Sequence, residues 1–365
     1  MASVVIVGGG IAGIAAADLL IRSGFHDVKI LEATDRTGGR IWSVDVDDNI
    51  DGKAELGANY IHGIERNPIY KIADENDLLE LRNKEKGLRH RHVYVTDQGD
   101  IVSKQIVQEV DWAYGMLMQQ CEEFFHLDIA TPCKNDSVGA FMEREYDRKV
   151  GKYSAEEKHI RQLIFNQRLA YEAVISGSDS MYDVSLGELG SYEELPGIHY
   201  TIPPGFEMVL EIIKRNIPPE DIVLNKPVTC ICWNQGDKYE SHHQVCVECE
   251  DGEKFYADHV IVTVSLGCLK YNAKRFFSPP LPKCKLDAIE SLDIGTVGKV
   301  ILEFDEAIFP PDVRRLELLW DKDHYDDCDK EMSKCWFRKI YSFEMIQENV
   351  VLGWLSGKNV CIWRQ

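Results

Sequence analysis

Apolar positions crowd the start of the chain. Val4-Val5-Ile6-Val7 is an unbroken β-branched run, and such a run predicts a buried strand of a parallel sheet. Gly8-Gly9-Gly10-Ile11-Ala12-Gly13 interrupts it, and the Ala-rich residues 14–21 predict a helix. A second apolar run at 28–31 predicts another strand, ending on Glu32, nineteen residues after Gly13. Apolar residues at 106, 107, 110, 116 and 117 then recur with helical period across 106–125. Residues 154–174 read as a second long helix, polar first and apolar later. The charged run 143–158 reads as a solvated helix surface and loop. From 204 onward, Pro204-Gly205-Phe206 leads into a helix over 208–215. Short strands follow at 223–224, 228–233, 245–250 and 260–264. The turn signals Asn234-Gln235-Gly236-Asp237 and Asp251-Gly252 separate them. Strands at 294–304, 316–320 and 350–355 suggest a second sheet.

The order strand, Gly-x-Gly-x-x-Gly, helix, strand, acid has a physical logic. The glycines allow a tight turn and close approach of the backbone to a pyrophosphate. The helix N-terminus faces that anion, and a terminal carboxylate accepts from a ribose hydroxyl. Gly8, Gly10, Gly13 and Glu32 are the residues concerned. The pattern predicts an α/β fold with a Rossmann-like FAD/NAD(P)-binding domain, and by itself it does not separate the two cofactors. Gly38-Gly39-Arg40 tips the choice toward a flavin, because two glycines permit close backbone approach and an arginine there reaches phosphate oxygens. The nucleotide domain resumes after a helical insertion, so residues 1–75 and 204–278 are expected to interleave with 76–203 and 279–356.

Length allows about two domains for 365 residues. A formal charge of −20, from 41 Lys and Arg against 61 Asp and Glu, excludes general nucleic-acid affinity. It suits a cationic substrate and equally suits mere solubility. No apolar stretch approaches a membrane span, and residues 1–20 lack a basic region, so a cytoplasmic protein without membrane partners is expected. Eleven cysteines without a secretory signal argue for reduced thiols. Cys230, Cys232, Cys246 and Cys249 have zinc-like spacing. They lie on alternating strands whose successive cysteines are read as pointing to opposite or packed faces, so no metal site is expected.

Glu55-Leu56-Gly57-Ala58-Asn59-Tyr60-Ile61-His62-Gly63 and Asn67-Pro68-Ile69-Tyr70 add a further pattern to the glycine turn, Glu32 and Gly38-Gly39-Arg40. Together these resemble the FAD-dependent polyamine oxidases, the animal spermine and acetylpolyamine oxidases most of all. The likeness runs through Ser180-Met181, 203–206, Lys226-Pro227-Val228, 259–267 and 295–304, and ends near Ser356. It implies an α+β substrate domain on a mixed sheet beside the flavin domain. The implied reaction is hydride transfer from a carbon next to a polyamine nitrogen to FAD, with oxygen reduced to hydrogen peroxide. Members of the family occur in cytosol, nucleus or peroxisome.

The resemblance also assigns roles. Lys299 matches the lysine that holds a water against the reactive flavin nitrogen. A lysine inside the apolar run Gly298-Lys299-Val300-Ile301-Leu302 is a candidate on physical grounds too, unless it snorkels from an edge strand. His62 matches a histidine beside the substrate channel. Gly57 and Ala58 would admit the backbone to the isoalloxazine ring, and Val228 would clamp the adenine end. Spermine oxidases carry a glutamate where this chain has Ile175, near Gly177. An apolar wall there leans toward acetylated polyamines. Met181, Trp320 and Trp354 are left open between the lining of a substrate tunnel and ordinary core, where aromatics and Met at such spacing usually lie.

After Gly357 the likeness ends. Residues 357–365 form a divergent tail, without the family's last segment and without a peroxisomal C-terminal address. That segment carries a diphosphate-binding stretch and the aromatic residues flanking the flavin. The alternative expectation is a truncated, non-catalytic remnant or isoform with weak or no FAD binding. A different flavin oxidoreductase, such as a monoamine oxidase, is a third.

Overall fold

A computed structural model describes residues 2–45, 53–79, 91–133, 135–233, 243–321, 335–357 and 360. In chain order come β1 (Val4–Val7), α1 (Ile11–Arg22), β2 (Val28–Leu31), β3 (Ser43–Asp45), β4 (Lys53–Glu55) and α2 (Pro68–Glu75). Next are β5 (Arg91–Thr96), α3 (Lys104–His126), α4 (Val138–Val150), α5 (Ala155–Ile175) and α6 (Glu207–Lys214). Then follow β6 (Ile222–Val223), β7 (Val228–Trp233), β8 (Val245–Cys249), β9 (Lys254–Ala257), β10 (His259–Val262), α7 (Leu266–Phe276), β11 (Phe277–Ser278) and α8 (Lys283–Ser291). The last are β12 (Val297–Glu303), β13 (Val313–Leu319), β14 (Ser342–Gln347) and β15 (Val350–Ser356). The turn signal at 234–237 lies outside the described residues, as does the tail apart from Gly357 and Val360. Contacts divide the chain into Met1–Lys84 with Glu194–Ile294, and Glu85–Glu193 with Gly295–Gln365.

In the first unit β1 is flanked by β2 and β10, and β2 by β6, all parallel. The apolar run at 4–7 is explained by its two faces. Val4 and Ile6 join a core with Ile14 and Ala17 of α1 and Val209 and Leu210 of α6. Val5 and Val7 join another with Ile231, Val247 and Ala257. A strand with period two and both faces covered has no polar position to alternate with. The second core lies on a sheet of order β11-β7-β8-β9, in which β11 runs parallel to β7 and the other pairs are antiparallel.

The second unit holds a mixed sheet of order β12-β15-β14-β13-β5, with β5 parallel to β13 and the other pairs antiparallel. Helices α3, α4 and α5 form its core around Leu117, Met142, Ile164 and Phe165. The charged run 143–158 is less solvated than its composition suggests. Tyr146 and Val150 of α4 are buried, and Tyr146 stacks on Phe165 at 3.9 Å. The run breaks between α4 and α5, where Ser154 and Glu157 form a capping box. A cleft of about 690 Å³ lined by Gln105, Glu109, Trp112, Lys149 and Arg161 opens on these helices and contains none of the candidate residues.

Eight described cysteines are free thiols. Cys335 departs from the expectation of reduced cysteines throughout, because it is disulfide-bonded. No described helix is long and apolar enough to cross a membrane.

Candidate active site

The glycine turn between β1 and α1 is built by exclusion. Gly8 adopts φ +112°, and a Cβ on it would meet Thr263 Oγ1 at 2.8 Å. A Cβ on Gly13 would lie 2.0 Å from the Gly8 carbonyl oxygen, so α1 docks against the turn only because that atom is missing. Gly10 differs, since a Cβ there would meet nothing within 4 Å. Gly10 is also the N-cap of α1 and gives it no side-chain cap, whereas α2 to α5 and α7 are capped by Asn67, Ser103, Ser137, Ser154 and Ser265. The first turn of α1 thus meets open space with its positive dipole end unanswered by a side chain. These residues fit an anion held by backbone amides, as a dinucleotide pyrophosphate would be.

Glu32 at the end of β2 accepts from Gly9 N at 2.7 Å through Oε2. Its Oε1 accepts from Thr34 N and Thr34 Oγ1, each at 2.9 Å. The carboxylate is thus fixed beside the turn. Gly38 bridges Gly10 and donates to the Gly9 oxygen at 2.9 Å, which lays the 38–40 loop on the glycine turn. Gly39 follows with φ +57°. Arg40 is exposed, and its carbonyl accepts from Ala58 N at 3.0 Å. A Cβ on Gly57 would lie 1.9 Å from that same oxygen, so the missing side chain makes room for Arg40. Lys226 N donates to the Glu32 carbonyl at 2.8 Å, bringing Val228, the first residue of β7, into the same neighbourhood.

Two residues here escape the sequence reading. Thr263 donates to the oxygens of Val7 and Gly8 at 3.1 and 3.0 Å, tying β10 to the turn. Arg36 donates to the carbonyls of Thr37, Gly39 and Ile41, and its guanidinium stacks 4.5 Å over Trp42. Its place two residues before Gly38 was the available signal.

His62 is aimed by its neighbours. Ile61 exchanges two backbone hydrogen bonds with Tyr200, and Gly63 sits at φ +69° where a Cβ would meet the Leu195 oxygen at 2.0 Å. Asn67 caps α2 with Oδ1 and donates Nδ2 to the His62 carbonyl at 3.0 Å. This docking sets the His62 ring 4.9 Å from the ring of His199, edge to face. His199 Nδ1 accepts from Gly63 N at 3.2 Å, which assigns the proton to Nε2, directed at Glu194 Oε1 3.3 Å away. A metal-ligating histidine has the reverse arrangement, its second nitrogen donating, so His62, Glu194 and His199 are not poised as a metal site although their donor atoms cluster.

Desolvation, followed by the nearby His199, pushes the His62 pKa below 6.5. An imidazole whose native pKa is depressed binds its proton sooner in the unfolded chain. Stability therefore rises with pH between the native value and 6.5 and falls on acidification through that window. His62→Gln is expected to flatten this slope in denaturant titrations on the acid side of 6.5, and an unchanged slope would count against the assignment.

The remaining candidates belong to the second unit. Ile175 is the last residue of α5 and is 56% exposed. Gly177 stops that helix with a Schellman pair: Ser178 N donates to Ala173 O at 2.9 Å and Gly177 N to Val174 O at 3.1 Å. Its φ of +65° and its contact with Gly295, 3.2 Å from a would-be Cβ, account for the glycine on structural grounds. The Gly177 carbonyl accepts from Thr296 N at 3.0 Å, one residue before β12 begins. Lys299 lies on β12, half-buried, directly opposite Trp354 of β15, and its Nζ stands 4.6 Å from the indole centroid. Trp354 is the face on which the lysine rests.

Comparison with known proteins places these residues in context. The model of a family described as flavin containing amine oxidoreductase matches residues 11–341. The peroxisomal N(1)-acetyl-spermine/spermidine oxidase of Homo sapiens is 35% identical over 97% of this chain and 72% of its own length. The Bos taurus protein of the same name is 33% identical over the same shares. A probable polyamine oxidase of Arabidopsis thaliana is 28% identical over 98% of this chain and 72% of its own length.

Proposed function

Because this chain belongs to the flavin-containing amine oxidoreductases, we propose that it oxidises polyamines, acetylated ones in preference, with FAD as its cofactor. The observation that carries the reading is the uncapped α1 N-terminus over open space at Gly10, with the Glu32 carboxylate locked beside it. The relatives named above, which act on acetylated polyamines by their names, supply the substrate class. The chemistry that FAD supplies when bound is acceptance of a hydride from the carbon beside the amine nitrogen, with the electrons passing on to oxygen to give hydrogen peroxide.

The first unit then serves as the Rossmann-like nucleotide domain and the second as the substrate domain. Gly8, Gly10, Gly13 and Gly39 would give a pyrophosphate access to backbone amides, Glu32 would accept from the ribose, and Arg40 would supply a cation to the phosphates. Gly57, Ala58 and Val228 complete the cradle through their backbone. His62, held neutral around pH 7 by its surroundings, binds or relays a proton from the amine. Lys299 would hold a water against the reactive flavin nitrogen. A net charge of −20 favours encounter with a polycation. The chain works in the cytoplasm on this reading.

Flavin-loaded protein should consume oxygen with N-acetylspermine and release peroxide; a loaded sample that consumes none overturns the proposal. Ile175 and Gly177 set the wall on the acetyl side. Ile175→Glu should raise kcat/KM for free spermine relative to N-acetylspermine by about tenfold, since a carboxylate compensates an ammonium that isoleucine cannot. An unmoved ratio removes Ile175 from the specificity argument.

A further inference from the structure

Residues two apart on a strand share a face, and residues directly opposite on the neighbouring strand share it too. Cys230 and Cys232 are such a pair on β7, and their partners on β8 are Glu248 and Cys246. Ile231, Val245 and Val247 turn to the core on the other side. The expectation that these cysteines diverge is corrected here, because only adjacent residues alternate.

The spacing on this face is that of a ligand set. The two sulfurs are 3.7 Å apart, and the donor atoms of Cys230, Cys232 and Glu248 all lie within 4.8 Å of one another. Two thiolates on a tetrahedral zinc ion, each about 2.3 Å from the metal, stand about 3.8 Å apart, so the pair needs almost no movement to close on one. Lys254 Nζ holds Glu248 Oε1 at 2.7 Å, which orients the carboxylate and leaves its second oxygen to an ion. Two thiolates, one carboxylate and one ammonium neutralise a divalent cation. Cys230 and Glu248 are half-buried and Cys232 is 9% exposed, a setting in which an ion gains from exclusion of water yet has a way in.

We propose that Cys230, Cys232 and Glu248 form a binding site for a thiophilic divalent d10 cation such as zinc, with water as the fourth ligand and the β7–β8 pair clamped by it. The proposal does not depend on the amine oxidase reading.

The full chain titrated with cadmium ion tests this through the ultraviolet sulfur-to-cadmium charge-transfer band. One equivalent should bind with the intensity of two thiolates and be displaced by zinc. Cys230→Ser should abolish the band, while a Cys133→Ser, Cys284→Ser variant, altered at two exposed thiols, should keep it. Glu248→Gln, with both thiols intact, should weaken cadmium binding about tenfold or more. No band at stoichiometric cadmium overturns the proposal, as does a band that survives Cys230→Ser. Should Cys230→Ser fail to fold, Glu248→Gln decides, and an unchanged affinity there rejects the site.

Discussion

Gly10→Ala is expected to abolish stable flavin binding while leaving the fold intact. The Gly10 backbone, at φ −74° and ψ 177°, is open to alanine, and no protein atom lies within 4 Å of the new methyl. Its cost to stability should stay within about 1 kcal/mol, the range for an alanine at an N-cap. The methyl would, however, project into the space where the pyrophosphate approaches the α1 amides, and affinity should fall by well over tenfold, or more than about 1.4 kcal/mol. Gly13→Ala is the contrast. Its Cβ would meet the Gly8 oxygen at 2.0 Å, a backbone atom that no rotamer change can move aside. That variant should lose about 1–3 kcal/mol of stability as well as the cofactor. Visible absorbance per chain and thermal melts read both. A Gly10→Ala protein that retains its full flavin spectrum would refute the placement of the dinucleotide.

Lys299→Met should lower kcat about 10²- to 10³-fold with flavin content unchanged, the size of effect seen when a positioned proton-handling group is removed. Methionine keeps the length of the side chain and its contact with Trp354, so packing of β12 on β15 should survive. What disappears is the ammonium 4.6 Å over the indole, which orients water by charge and hydrogen bonding. Arginine should not restore the rate, because its planar fork cannot present the same compact donor. Steady-state oxygen uptake and the flavin spectrum separate the two quantities, and a kcat within threefold of the parent would assign Lys299 to structure alone.

The helices and strands with strong periodicity were legible in the sequence. Residues 106–125 lie within α3, the run 154–174 corresponds to α5 with Ser154 as its N-cap, and the runs at 228–233 and 245–250 correspond to β7 and β8. The strand suggested from 294 begins at Val297, because Gly295 is packed on Gly177 and Thr296 bonds to its carbonyl. Helices α7 and α8 and strands β5 and β14 passed unread. They are short or strongly charged, and their places are set by partners far along the chain, as β5 is by β13. The charged surface of 143–158 hid Tyr146 and Val150, since composition reports charge and not which face turns inward.

Taken alone, the sequence determined the β1–α1–β2 framework with its glycine turn and Glu32, because each residue there answers a local backbone need. A β-branched run, glycines at forbidden conformations and an alanine-rich helix carry their physics within a few positions. Only the tertiary structure decided which distant side chains meet. Tyr200 pairing with Ile61 brought His199 to His62, the β12–β15 register put Trp354 under Lys299, and the β7–β8 register set Glu248 beside two cysteines. Such meetings depend on strand register and the closure of long loops, where a shift of one residue turns every side chain to the other face. No local signal records that choice.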